Sequence, residues 1–257
     1  MSALQRVDLG EVPYPEASRE MARWVDERQR DVAGDRLFLL SHPPVITYGP
    51  RTPIADLPPA AAGVPTVEVD RGGYATYHGP GQLVGYVVMS LRERGPVDVV
   101  RWLENGLVVA LDRLGFETVR RDSPPGSPSL VGVWTPEQHK VASIGMRIRR
   151  GVTSHGFALN VDPDMRVFDQ FTVCGLQHVT MTSLRRMADA GAVPLPSESV
   201  IRDAVADALG AVPATTAGPV VADSVVADPV VADPVVAADP LVAGSVEVAG
   251  HGTDGEG

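Results

Sequence analysis

Hydrophobic and polar positions along the first two hundred residues switch between two periods. Behind Pro15, which suits the first turn of a helix, Ala17, Met21, Trp24, Val25 and Val32 recur at helical spacing, and Gly34 can end the run. This predicts a helix over 15–33. "RLFLLSHPPVITYG" then reads as two strands broken at Pro43 and Pro44, and "TVEVD" (66–70) alternates as a third. "LVGYVVMSL" is a further strand. Val100, Leu103, Leu107, Ala110, Leu111 and Leu114 trace one face of a helix between Pro96 and Gly115. "SLVGVW", "KVASIGMRIRR" and "VTSHGFALNV" follow as an antiparallel meander turning at Gly151, and two shorter helices over 182–190 and 198–209 close the pattern. Strands and helices mixed in this way predict one α/β domain of about 200 residues.

Near Ala211 the pattern stops. "PVVADSVVADPVVADPVVAADPLVAGS" repeats with a period of five, which no solenoid has, and its prolines oppose helix. Residues 212–257 are therefore expected to form a disordered acidic tail behind a folded domain over 1–211. The tail carries seven acidic residues and no Lys or Arg, so of the net charge of −10 only −3 belongs to residues 1–211. Neither figure suits wholesale binding of a phosphate backbone, and no nucleic-acid partner is expected. The N-terminus lacks a charged-then-apolar leader, and no stretch nears the roughly 18 apolar residues of a membrane span. A cytoplasmic protein without a membrane partner is the expectation.

Two residue types change the picture. Of 22 basic residues a single one, Lys140, is lysine, and Cys174 is the single cysteine. Where arginine is so strongly preferred, a surface lysine could as well have been arginine. One cysteine excludes an intramolecular disulfide and a cysteine-based zinc site. Lys140 precedes Val141, so no phosphate-binding Gly-Lys-Ser/Thr loop exists, and Gly79, Gly81 and Gly85 miss the dinucleotide spacing. The six histidines show no metal-ligand spacing. No cofactor or metal is expected.

The stretch "RGGYATYHGPGQLVGY" (71–86) admits two readings. Its glycines allow close approach of a ligand to backbone N–H groups, with Arg71 as a cation and His78 as a hydrogen-bonding or proton-transferring group. It also reads as a turn-rich connection with a solvated arginine. Cys174 and Lys140 are similarly open. An ammonium beside a thiol favours the thiolate, and the lysine can then move protons, a pairing suited to acyl transfer through a thioester. Taken singly, each is equally a packed thiol or a surface charge.

The motifs resemble those of the lipoyl(octanoyl) transferases over residues 42–184. "RGGYATYHGPGQLVGY" matches the family's first signature, and "KVASIGMRI", "TSHGFALNV" and "CGL" follow in order. The resemblance implies a mixed-sheet catalytic domain like that of the biotin and lipoate protein ligases. It implies Cys174 as acyl-accepting nucleophile and Lys140 as the group that lowers its pKa and handles protons. Arg71, Gly72, Gly73, Tyr74, Ala75, Thr76, Tyr77 and His78, then Ser143, Ile144 and Gly145, then Gly156, Phe157 and Ala158, fall on substrate-binding segments. Octanoyl-acyl carrier protein is the implied donor. Lipoyl domains of 2-oxoacid dehydrogenases and the glycine cleavage H protein are the implied acceptors, and the enzyme is expected as a monomer.

In two places the chain departs from the family or adds to it. The family pattern before the cysteine is Ile-x-Pro-Cys-Gly, whereas "FTVCGL" has Phe171 and Val173. In "MRIRRG", strand alternation puts Arg147 and Arg149 on one face with Arg150 beside them, a candidate contact for an acidic partner. An ATP-dependent lipoate or biotin ligase and a non-catalytic carrier-protein-binding module are the rival readings.

Overall fold

The computed structural model describes residues 3–214 apart from 60, 61, 93 and 178. In chain order, β1 (Leu4–Glu11) leads into α1 (Tyr14–Gln29), and Pro43 and Pro44 separate β2 (Arg36–Ser41) from β3 (Val45–Tyr48). After β4 (Thr66–Glu68), β5 (Thr76–His78) and β6 (Gln82–Val88) comes α2 (Pro96–Arg113). The meander is β7 (Val119–Arg120), β8 (Gly132–Trp134), β9 (Lys140–Arg149) and β10 (Val152–Asn160). Two 3₁₀ turns, Met165–Gln170 and Val173–Gly175, then precede α3 (Leu184–Gly191), α4 (Glu198–Ala208) and β11 (Ala211–Pro213).

The main sheet runs β11-β1-β2-β6-β10-β9-β8-β7, and a small one runs β4-β3-β5. β1 lies parallel to β2 and β11, while every pair from β2 to β7 across the main sheet is antiparallel. The sheet is mixed, as expected of the fold.

Alternation divides its residues between two layers. Leu37, Leu39, Leu83, Val87, Phe157 and Leu159 pack with Val99, Leu103, Leu107 and Leu111 of α2 and Ile201 and Val205 of α4. Phe38, Leu40, Val84, Tyr86 and Ala158 point the other way, onto Ala17, Met21 and Trp24 of α1. A buried leucine-sized side chain contributes about 1.5–3 kcal/mol, so both layers are strongly held. The small sheet and the 3₁₀ turns carry a third cluster, which includes Ile46, Ala75, Tyr77, Phe168 and Val173.

Helix α1 stops at Gln29, short of the end expected at residue 33. Asp31 takes a left-handed φ of 54°, which breaks the helical path, and Val32 is exposed rather than part of the apolar face. Strand β1 is unanticipated, since Gln5, Arg6 and Asp8 interrupt its apolar alternation. It is held between two parallel neighbours, and Ala211, Val212 and Pro213 pair with Leu4, Gln5 and Arg6. The sheet thus runs two residues past the boundary expected at 211. The acidic repeat from 215 onward lies outside the described residues.

Candidate active site

Lys140 opens β9, and a β-bulge decides where it points. Gly132 pairs with Ser143 and Val133 with Ala142, but Trp134 pairs with Lys140, leaving Val141 as an extra residue on β9. An inserted residue reverses the alternation beyond it. Lys140 therefore shares a face with Ser143, three positions away, while Val141 and Ala142 both enter the core against α2. The lysine is 2% exposed, and its Nζ sits 5.2 Å from the centre of the Trp134 ring. Gly132 makes room for it, because a Cβ there would stand 2.6 Å from Lys140 Cε.

Cys174 sits on a turn. It takes φ 56° and ψ 19°, a left-handed conformation that costs a non-glycine residue roughly 1–2 kcal/mol, and Gly175 follows at φ 65°. The turn is pinned from three sides. Thr172 N–H donates to Asp56 O at 3.0 Å, Cys174 N–H to Ala75 O at 2.8 Å, and Leu176 N–H to Val173 O at 3.0 Å. Val173, where the family pattern has proline, is buried in the third cluster. The Cys174 Sγ lies 3.5 Å from Ser143 Oγ, and Cys174 is only partly buried. Farther along the same segment, Lys140 N–H donates to Thr180 O at 2.8 Å and Thr182 N–H to Lys140 O at 2.9 Å. The chain that carries the cysteine is thereby tied to the strand that carries the lysine.

Both residues line one cavity of about 70 Å³. Arg71, Gly73, Tyr74, Thr76, His78, Ser143, Gly145, Gly156 and Ala158 border it, as do Ile144 and Phe157, whose side chains alternate toward the α2 layer. Gly72, Ala75 and Tyr77 fall outside the lining. Gly72 N–H donates to Met146 O at 3.0 Å, Ala75 holds the Cys174 amide, and Tyr77 packs edge-on against Phe168. The glycine-rich stretch lies against β9, since a Cβ on Gly145 would stand 2.8 Å from Gly72 O.

The polar wall is a buried relay. Arg71 Nη2 donates to Thr47 O and Oγ1, both at 2.9 Å, and the Thr47 hydroxyl donates to His78 Nε2 at 3.1 Å. His78 Nδ1 donates to Gln82 Oε1 at 2.8 Å, Gln82 Nε2 to Asn160 Oδ1 at 2.9 Å, and Asn160 Nδ2 to Thr182 O at 3.0 Å. Both ring nitrogens of His78 are thus engaged inside the protein. Burial, with His42 and Arg71 nearby, also holds His78 well below its ordinary pKa. His78 is therefore held inside this network and linked to Arg71 through the Thr47 hydroxyl. Burial lowers the Arg71 pKa, while the negative charge of Cys174 would raise it, so cation and thiol are electrostatically linked.

Several lining residues were not among the expected site residues. Tyr14, at the first position of α1, faces the cavity with a buried hydroxyl that has no hydrogen-bond partner among the described residues. Burial pushes its pKa up to about 12. His155 takes a left-handed φ of 59° within β10, and burial followed by Arg71 and Arg147 lowers its pKa to about 3. Val84, Tyr86, Ser129 and Val131 complete the wall. On the outer end of β9, Arg147 pairs with Asp70, which leaves exposed Arg149 and Arg150 as the outward cations of the expected partner surface.

The family model of the lipoyl protein ligase A/B catalytic domain matches residues 14–209. An octanoyltransferase of Frankia casuarinae is 50% identical over 190 residues, covering 73% of this chain and 86% of that protein. The chain belongs to the octanoyltransferases. A second octanoyltransferase, from Rhodococcus opacus, is 40% identical over 215 residues, with 80% of this chain and 81% of that protein covered. The octanoyltransferase fold also matches solved structures at 16% identity. One is an archaeal bi-partite lipoate protein ligase and its E2 lipoyl domain from Thermoplasma acidophilum, with TM-score 0.60 and coverage of 81% and 82%. Another is a lipoate-protein ligase A bound with ATP, with TM-score 0.60 and coverage of 80% and 84%. Octanoyltransferases are acyltransferases, and the cavity just described is lined by both Cys174 and Lys140.

Proposed function

We propose that the enzyme moves an octanoyl group from octanoyl-acyl carrier protein to a lysine of a lipoyl domain through a thioester on Cys174. The observation that carries this reading is the meeting of the chain's single cysteine and single lysine in one cavity of an octanoyltransferase fold. In the first half-reaction the Cys174 thiolate attacks the thioester carbonyl of the donor. The carbonyl carbon's bond to the carrier sulfur then breaks, and the Lys140 ammonium gives its proton to the departing thiolate. In the second, the amine of the acceptor lysine attacks the Cys174 thioester, the bond to Sγ breaks, and an amide forms. The proton released by that amine goes to Lys140, which restores the pair. A thioester donor is already activated, so no ATP enters.

The flanking residues fit the same scheme. Arg71 presents a buried guanidinium on the same cavity wall as Cys174. Gly145 and Gly156 line the cavity and let β9 and β10 pack closely against Gly72 and Gly85, where a Cβ would collide with the respective carbonyl oxygens. The exposed Arg149 and Arg150 suit an acidic carrier protein or lipoyl domain. The reading further assigns the activity to a monomer in the cytoplasm. No helix among the described residues is long and apolar enough to cross a membrane.

The test is the intact mass of the purified protein after incubation with octanoyl-acyl carrier protein, without ATP, beside Cys174→Ser. A hydroxylamine-labile octanoyl adduct on the wild type and none on the variant is expected. Lipoyl-domain modification that appears only with ATP and free octanoate would mean ligase chemistry instead.

A further inference from the structure

Glu104 of α2 takes no part in the scheme above, yet it is fully buried. Removing a carboxylate from water costs several kcal/mol unless partners offset it. One oxygen, Oε1, accepts a hydrogen bond from the Gly132 amide at 2.9 Å. The other makes no hydrogen bond among the described residues and lies 3.5 Å from Arg101 Nη1. That guanidinium is shared, since its Nη2 stands 2.6 Å from Asp122. Arg101 therefore covers Glu104 only in part.

The remaining compensation lies across Gly132. A Cβ on this glycine would stand 2.6 Å from Cε and 3.3 Å from Nζ of Lys140, so lysine and glutamate flank the same residue. Lys140 makes no direct ion pair among the described residues, and the Trp134 face is its only aromatic partner there. Arg121 packs on that same ring at 4.8 Å. Burial raises the Glu104 pKa, whereas the Gly132 amide, Arg101 and Lys140 lower it and Asp122 raises it. On the cavity side of Lys140 the ionisable groups are Cys174, Arg71, His78 and His155, with the phenols of Tyr14, Tyr74 and Tyr86.

We propose that Glu104 is a positioning residue for Lys140: seated on the Gly132 amide, its carboxylate is the counter-charge that keeps the buried lysine an ammonium. It thereby sets the pH range in which Lys140 and Cys174 exchange a proton. The catalytic half of this inference rests on the reading of Lys140 given above. The electrostatic half stands alone.

Because Lys140 is the only lysine in the chain, isotope-labelled lysine gives one side-chain resonance whose pH titration belongs to that residue. Glu104→Gln keeps an oxygen for the Gly132 amide and removes the charge. The Lys140 midpoint in the full chain should fall by about 0.5 pH unit or more, and the pH profile of octanoyl loading on Cys174 should move to lower pH with it. An unmoved midpoint overturns the proposal, and a fallen midpoint with an unmoved loading profile overturns its catalytic half. Should Glu104→Gln fail to fold, Arg101→Gln decides. Removing that cation should raise the Lys140 midpoint by about 0.2–0.3 pH unit, and no change overturns the proposal. A wild type that is never loaded sinks the thioester reading, while the titration still decides the role of Glu104.

Discussion

The turn that carries Cys174 and the strand that carries Lys140 face one cavity and are held by opposite means. The turn is a short 3₁₀ segment with two successive left-handed residues, fixed by backbone hydrogen bonds to Asp56 and Ala75. The strand is buried in an eight-stranded sheet, and its lysine is aimed by a bulge packed against α2. On the proposed thioester route the nucleophile has to reach a large incoming donor, so partial exposure and local strain would serve it. The same route asks a fixed, dry setting of the proton-handling lysine, which packing in the strand would supply. Mutations in the strand should therefore change chemistry and its pH dependence, and mutations in the turn should change the placement of the thiol.

The largest expected effect is on the strand side. Lys140→Ala should slow octanoyl loading of Cys174 by about 10²–10⁴-fold, the usual contribution of a positioned acid–base group, as read by rapid-quench mass spectrometry. Loading at the wild-type rate would remove the contrast between the two regions.

His155 probes the dryness of the strand side. Its folded pKa of about 3 lies below the unfolded value near 6.5, so the unfolded chain binds the extra proton first as pH falls. The stabilisation from keeping this ring neutral is complete above about pH 6.5 and is lost progressively toward pH 3. It amounts to a few kcal/mol, on the order of 1.4 kcal/mol for each pH unit that separates the folded and unfolded values. His155→Asn, which tolerates the left-handed backbone, should flatten the denaturation midpoint between pH 6.5 and pH 4 relative to wild type. Parallel curves for the two proteins would place water at this wall.

Gly175→Ala probes the turn. Its Cβ would stand 2.7 Å from the Tyr74 ring at a φ of 65°. A stability loss of about 1–2 kcal/mol is expected, together with slower alkylation of Cys174 and an unchanged pH midpoint for loading. A moved midpoint would mean that the turn, too, sets the proton chemistry. The smallest effect belongs to the end of the strand. Arg149→Glu should raise the apparent KM for an acidic carrier protein about threefold at low salt, and the difference should vanish as salt rises.

The sequence made the chemistry of the site easier to read than its walls. Lys140 and Cys174 stand out because each is alone in its residue type, and the meander is legible from period-2 alternation. The bulge is not, although the adjacent apolar pair Val141-Ala142 is its trace: two neighbouring residues cannot both face the core on a regular strand. Tyr14 has an aromatic body that fits a core helix, and only the tertiary structure turns it to the cavity. His155 is hidden for a different reason, because a left-handed residue inside a strand has no short-range code. Glu104 lies on the same helix as the predicted core residues, one position past Leu103, and its burial depends on Gly132 arriving from 28 residues away.

The bulge also behaves as a reading frame. Residues may be gained or lost in the connection Thr135–His139 without changing which side of the sheet Lys140 occupies, because Val141 fixes that choice after the connection ends. A single residue lost between Lys140 and Ser143 would instead remove the bulge, and the two residues, then two positions apart, would still share a face by regular alternation. Length variation among relatives of this enzyme should accordingly be permitted in the connection before the lysine, and loss of the bulged residue should straighten the strand without moving the lysine to the core face.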